Sequence, residues 1–201
     1  MQHPGSAPAE PRRLAERRYY PAFLDLDGQS CLVVGGGEVA LEKTSGLLDC
    51  GACVTVVSPQ VVPELREAPI EWLRRGYRSS DLDGRHLVVA ATSTPSVNRR
   101  VSTDAEARRL FCNVVDVPEL CSFILPAISR REPIVVAVST GGASPALAQW
   151  IRDRIAGEIG PEHADLARRL RALRPWAKRR FPTYAGRREF FAELVERELG
   201  R

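Results

Sequence analysis

The chain has 201 residues, a formal charge of +4, and 44% hydrophobic against 27% charged side chains, the balance of a globular protein able to bury a core. No apolar run approaches the roughly 18 residues of a membrane span. The Pro-, Ala- and Arg-rich residues 1–18 lack the apolar centre of a signal peptide, so they read as a disordered leader on a cytoplasmic protein.

After the leader, Tyr20 to Leu26 is a partly alternating apolar stretch that ends in the turn signal Asp27-Gly28. Cys31-Leu32-Val33-Val34 reads as a buried parallel strand, and Glu38 to Leu48 as the helix after it. Between them, Gly35, Gly37 and Ala40 fit G-x-G-x-x-G/A, the dinucleotide fingerprint. Gly35 allows the tight turn, Gly37 lets backbone N–H groups approach a pyrophosphate at the positive helix end, and Ala40 permits close packing of helix on strand.

The next strand is Val54 to Val57, followed by a short helix Pro63 to Glu67 and a third strand Ile70 to Leu73. A fourth strand His86 to Ala91, a helix Asn98 to Leu110 and a fifth strand Phe111 to Asp116 complete an alternation that predicts a Rossmann-type, doubly wound parallel sheet of the α/β class. The pattern then changes. Ser122 to Ile128 and Ile134 to Ser139 are β-like runs joined through Arg130 to Pro133, too close for a parallel crossover, so an antiparallel pair outside the main sheet is expected. Such exposed edges invite pairing with a second copy. Ser144 before Pro145 is a helix start, and the remainder reads as helices over Pro145 to Glu158, Glu162 to Arg180 with a break or kink at Pro175, and Gly186 to Leu199. The resulting division is a leader over 1–18, a nucleotide-binding domain over 19–117, dimerisation strands and loop over 118–145, and a helical domain over 146–201.

Five cysteines, Cys31, Cys50, Cys53, Cys112 and Cys121, are an odd number, which favours reduced, packed thiols over a disulfide framework. Cys50-Gly51-Ala52-Cys53 matches C-x-x-C but has no second pair and no nearby histidine, so it reads as structural, and no metal site is expected. A ribose-binding carboxylate belongs at the end of the second strand, where this chain has Ser58-Pro59-Gln60 instead. Ser58, Gln60 or backbone groups are left to hold the ribose, and the lack of an arginine there tilts the choice to NAD over NADP. Asp116, at the carboxyl end of the fifth strand, stands where open α/β sheets bind ligands and is the candidate general base. Thr140-Gly141-Gly142-Ala143-Ser144 has the small hydroxyls and N–H groups of an anion cradle, or of a plain helix entry. Residues 152–201 hold 13 basic and 8 acidic side chains, a surface suited to polyanions or simply solvated.

In order along the chain, Tyr20-Pro21 with Leu24 to Gly28, Val33 to Ala40 with Lys43, Ala90-Ala91-Thr92 with Val97-Asn98, Cys112 to Asp116, Ser122-Phe123 with Pro126, and Val138 to Pro145 together resemble the precorrin-2 dehydrogenase family, the single-domain relatives of the N-terminal half of siroheme synthase. The resemblance covers roughly residues 19 to 150. It implies NAD-dependent oxidation of precorrin-2 to sirohydrochlorin, with Asp116 taking or relaying a proton. The implied cofactor contacts are Gly35, Gly36, Gly37, Glu38, Val39, Ser58, Pro59, Gln60 and Thr92. The implied substrate contacts are Asn113, Ser139, Thr140, Gly141, Gly142 and Ser144, and the basic helices would face the many carboxylates of the substrate. It also implies a homodimer joined through the strand pair, with neither nucleic acid nor membrane as partner. Two alternatives stay open: a bifunctional dehydrogenase and sirohydrochlorin ferrochelatase, and a dinucleotide-sensing or nucleic-acid-binding module.

Overall fold

A computed structural model describes residues 17–200. Of the expected leader, residues 1–16 therefore lie outside the described residues. The chain separates into two compact units, the first ending at Leu125 and the second beginning at Pro126. Residues 118–125, which the sequence reading grouped with the dimerisation strands, fall in the first unit.

The first unit is a five-stranded parallel sheet in the order β3-β2-β1-β4-β5. Its strands are β1 (Ser30–Val34), β2 (Cys53–Val57), β3 (Glu71–Leu73), β4 (Leu87–Ala90) and β5 (Phe111–Val114), and its helices α1 (Glu38–Leu48), α2 (Pro63–Glu67) and α3 (Pro95–Ala107). The apolar runs become strands because both faces of the sheet are covered. Leu32, Val34, Val88 and Ala90 face α3 with Val101 and Ala105, while Cys31, Val33, Val54 and Val56 face Ala40 of α1 and Leu65 of α2. Each fully buried Val or Leu contributes about 1.5–3 kcal/mol, so period-two alternation on two faces fixes the register. In that register Val33 lies between Val56 and Val89.

Several boundaries differ from the sequence reading. α3 starts at Pro95, in the first-turn position proline favours, rather than at Asn98. β5 ends at Val114, because the chain turns at once with Val117 N–H donating to the Val114 carbonyl at 3.2 Å. The segment from Ser122 is not yet strand β6. Ser122 N–H donates to the Cys112 carbonyl at 2.8 Å and its hydroxyl accepts from Cys112 N–H at 2.8 Å, so this segment seals the free edge of β5.

The second unit holds the antiparallel hairpin β6 (Ala127–Arg131) and β7 (Ile134–Val138), registered from Ala127 opposite Val138 to Arg131 opposite Ile134. Helices α4 (Pro145–Glu158), α5 (Pro161–Arg180) and α6 (Tyr184–Leu199) follow, with α4 packed on both strands. α5 and α6 join through Trp176, Phe181 and Phe190, whose ring centroids lie 5.0–6.1 Å apart. α5 runs unbroken through Pro175, where the sequence suggested a break or kink. That position is exposed, so water can serve the carbonyl that proline leaves without a partner. Among the described residues, no helix is long and apolar enough to cross a membrane.

None of the five cysteines forms a disulfide, and Cys31, Cys112 and Cys121 are buried. Burial is the main cause that pushes Cys31 up to about 11 and Cys112 up to about 12, so both are inert, protonated thiols at neutral pH.

Candidate active site

The strand order reverses between β1 and β4, and the loops at that switch point build the site. One residue beyond the strands, three backbone bonds knit their carboxyl ends together. Gly35 N–H donates to Val57 at 3.0 Å, Ala91 N–H to Val34 at 2.8 Å, and Val115 N–H to Ala90 at 3.0 Å. The loops after β1, β2, β4 and β5 therefore hold a fixed spacing.

The three glycines do separate jobs. Gly35 has φ of 134°, which L side chains rarely adopt, and a Cβ there would run into the Ala91 carbonyl. A Cβ on Gly36 would collide with the Gln60 carbonyl, because the loop after β2 folds over it, with Val62 N–H donating to the Gly36 carbonyl at 2.8 Å. Gly37 differs. It is the N-cap of α1, in extended backbone with no side-chain cap, and a Cβ there would meet nothing within 4 Å. The bare glycine and uncapped helix start leave a cradle for an anion, which is the test a pyrophosphate group must pass. Glu38 and Val39, in the first turn, are exposed beside it.

At the end of β2, the Ser58 hydroxyl is turned inward and donates to the Gln60 carbonyl at 2.5 Å, while Pro59 and Gln60 are exposed. Sequence reasoning missed the neighbours of this turn. The Trp72 indole N–H donates to the Ser58 carbonyl at 2.9 Å, and Arg66 and Arg74 each stack on the Trp72 ring at 5.6 Å. Two arginines thus flank this turn through Trp72, although none stands in it in sequence.

After β4, the Thr92 hydroxyl bonds the buried Asn98 side chain at 2.8 Å, and Asn98 Nδ2 donates to the Thr92 carbonyl at 2.9 Å. Asn98 thereby fixes the loop that presents Thr92, the implied cofactor contact. Next to it, β5 leads to Asp116. This residue is exposed and left-handed, with φ of 58°, a conformation that non-glycine residues avoid. Among the described residues, none bonds its carboxylate. Asn113 points into the core, 8% exposed, with Nδ2 donating to the Phe123 carbonyl at 3.1 Å.

The first unit therefore gathers Gly35 to Val39, Ser58 to Gln60, Thr92, Asn113 and Asp116. Ser139, Thr140, Gly141, Gly142 and Ser144 lie in the second unit, in the loop between β7 and α4. There the Thr140 hydroxyl donates to the Ser144 carbonyl at 2.9 Å and accepts from Ser144 N–H at 3.0 Å. Ser139 accepts from Gly141 N–H at 3.1 Å, and Ser144 caps α4 through Leu147 N–H at 3.2 Å. Their hydroxyls first of all hold the loop and the helix entry. Among the described residues, no group of three or more His, Cys, Asp or Glu side chains is placed to hold a metal ion.

A family model described as NAD(P)-binding matches residues 22–127, more than half of the chain and all of the glycine and aspartate loops. The chain belongs to this NAD(P)-binding family. A second model, described as sirohaem biosynthesis protein central, matches residues 131–158. Among curated proteins, the chain is 46% identical over 182 residues to siroheme synthase of Pseudomonas entomophila, covering 89% of this chain and 39% of that one. It is 47% identical over 183 residues to siroheme synthase of Thioalkalivibrio sulfidiphilus, covering 89% and 37%. The chain thus spans about two fifths of the length of these relatives. Among solved structures it is similar to SirC, precorrin-2 dehydrogenase, with a TM-score of 0.73 and 28% identity over 90% of this chain and 92% of that one. In this NAD(P)-binding member, the glycine cradle after β1 and the Asp116 turn after β5 open at the same end of one sheet, with the loop after β4 between them.

Proposed function

We propose that this chain oxidises precorrin-2 to sirohydrochlorin with NAD. The observation that carries the reading is the pairing of an open glycine cradle at the switch point with a left-handed carboxylate at the end of β5, in a fold matched to SirC over nearly the whole of both chains. Bound at the cradle, NAD supplies the acceptor for the hydride that leaves the macrocycle. The chain supplies the rest. The Gly36 and Gly37 loop and the first turn of α1 would hold the dinucleotide, with the exposed Gln60 available to its ribose. An Asp116 carboxylate oxygen takes the proton lost along with the hydride, which balances a two-electron oxidation. Asn113, 8% exposed, supports the end of β5 rather than touching substrate, while the second unit offers the Ser139 to Ser144 loop and the basic side chains of α5 to the carboxylates of the substrate.

The functional unit is a homodimer on this reading. A two-stranded hairpin is marginal alone, both strands of β6–β7 are edges, and Ile128, Leu147 and Trp150 of the same unit are 40–60% exposed.

The test of the catalytic assignment is Asp116→Asn. Its kcat should fall by about 100-fold or more, the usual contribution of a positioned base, while NAD binds as before. Normal turnover by this variant would remove Asp116 from the mechanism.

A further inference from the structure

The turn that presents Asp116 is fastened from two directions by residues far outside it. From the core side, Cys121 is buried against the end of β5, where its sulfur accepts from Val114 N–H at 3.1 Å and its S–H faces the carbonyls of Val114 at 3.2 Å and Val117 at 3.4 Å. These carbonyls bracket Asp116 in the chain. From the outer side, the Arg17 guanidinium donates to the Pro118 carbonyl at 3.1 Å and the Cys121 carbonyl at 3.2 Å, and faces that of Glu119 at 3.5 Å. Arg17 reaches them across about a hundred positions of sequence, from a segment expected to be only a leader. A left-handed aspartate with no bond of its own depends on the surrounding turn to hold it.

We propose that Arg17 and Cys121 are positioning residues that clamp the Asp116 turn, so that its carboxylate stays in the geometry the reaction needs. This rests on the dehydrogenase reading above. Burial, the largest influence on Cys121, outweighs the Val114 bond and the Arg17 charge and keeps the sulfur a protonated donor. The clamp therefore uses a neutral S–H on one side and the Arg17 guanidinium on the other.

The experiment compares the full chain with Arg17→Gln, Cys121→Ala and Cys121→Ser, reading steady-state NADH formation, the NAD dissociation constant and amide hydrogen exchange over residues 117–121. In Arg17→Gln and Cys121→Ala, kcat should fall about tenfold with KM for precorrin-2 and the NAD constant within about twofold, the split expected when a catalytic group is misplaced while binding is intact. The Leu120 and Cys121 amides should exchange about tenfold faster in Arg17→Gln. Cys121→Ser, which keeps a donor and an acceptor, should recover most of the lost kcat. Wild-type kcat in both disruptive variants, or unchanged exchange in Arg17→Gln, overturns the clamp. Should Cys121→Ala fail to fold, Arg17→Gln alone decides, since its side chain lies at the surface of the turn. Should the wild-type chain yield no NADH, the functional reading fails, and the exchange rates alone support or overturn the clamp.

Discussion

Gly37 has no side chain, no cap and nothing within 4 Å of where a Cβ would point, in a backbone conformation open to any residue. Packing therefore does not require a glycine at this position, although a helix N-cap favours glycine over alanine. Gly37→Ala should lower the stability by no more than about 1 kcal/mol but weaken NAD binding by about tenfold or more, because the methyl occupies the approach to the helix N-terminus. Titration of the variant with NAD checks this, and wild-type affinity would show that the cradle holds something else. The tight turn at Gly35 and the helix start after Gly37 were legible from spacing alone. That of Gly36 was not, since it comes from the Gln60 carbonyl folded over it, a contact that exists only once β2 and its loop are in place. Asp116 was legible as the carboxylate at a strand end, but its left-handed turn and the clamps on it were not. These depend on Cys121 and Arg17, neither of which carries a local signal.

At the scale of elements, the apolar runs located the five parallel strands and α1, α2 and α4 to within two residues, because burial on both faces leaves little freedom of register. Boundaries failed where tertiary bonds took over: Ser122 seals the edge of β5 before β6 begins at Ala127. The link from β3 to β4 shows the same effect. It is held by Asp81, 6% exposed, which accepts from Arg75 at 2.6 and 2.9 Å and from Arg78 N–H at 2.8 Å. Burial, the largest single influence, pushes the Asp81 carboxyl up, but the Arg75 and Arg78 bonds and charges together outweigh it and hold it below its ordinary value of 3.8. A depressed carboxylate stabilises the fold above its unfolded pKa and loses that contribution as pH falls through its folded value. Asp81→Asn should therefore cost about 2 kcal/mol at pH 7. In urea unfolding, the gap from wild type should narrow in acid below about pH 4. A gap that stays constant down to pH 2 would contradict this assignment.

At the scale of the molecule, the sequence already indicated a parallel sheet, then a hairpin, then helices, because the periodicity changes at each transition. It placed the division between units less well, since residues 118–125 look like the start of the hairpin and are instead the flank of the sheet. The exposed hairpin edges and Trp150 call for a cover, and sedimentation equilibrium should return twice the 22.2 kDa chain mass. A monomer at micromolar concentration would remove the dimer from the account. The central claim is the reaction itself, and the absorbance of NADH tests it most directly. Purified chain mixed with precorrin-2 and NAD should produce NADH in step with sirohydrochlorin, one for one. No NADH, under conditions in which a precorrin-2 dehydrogenase such as SirC turns over, would contradict it.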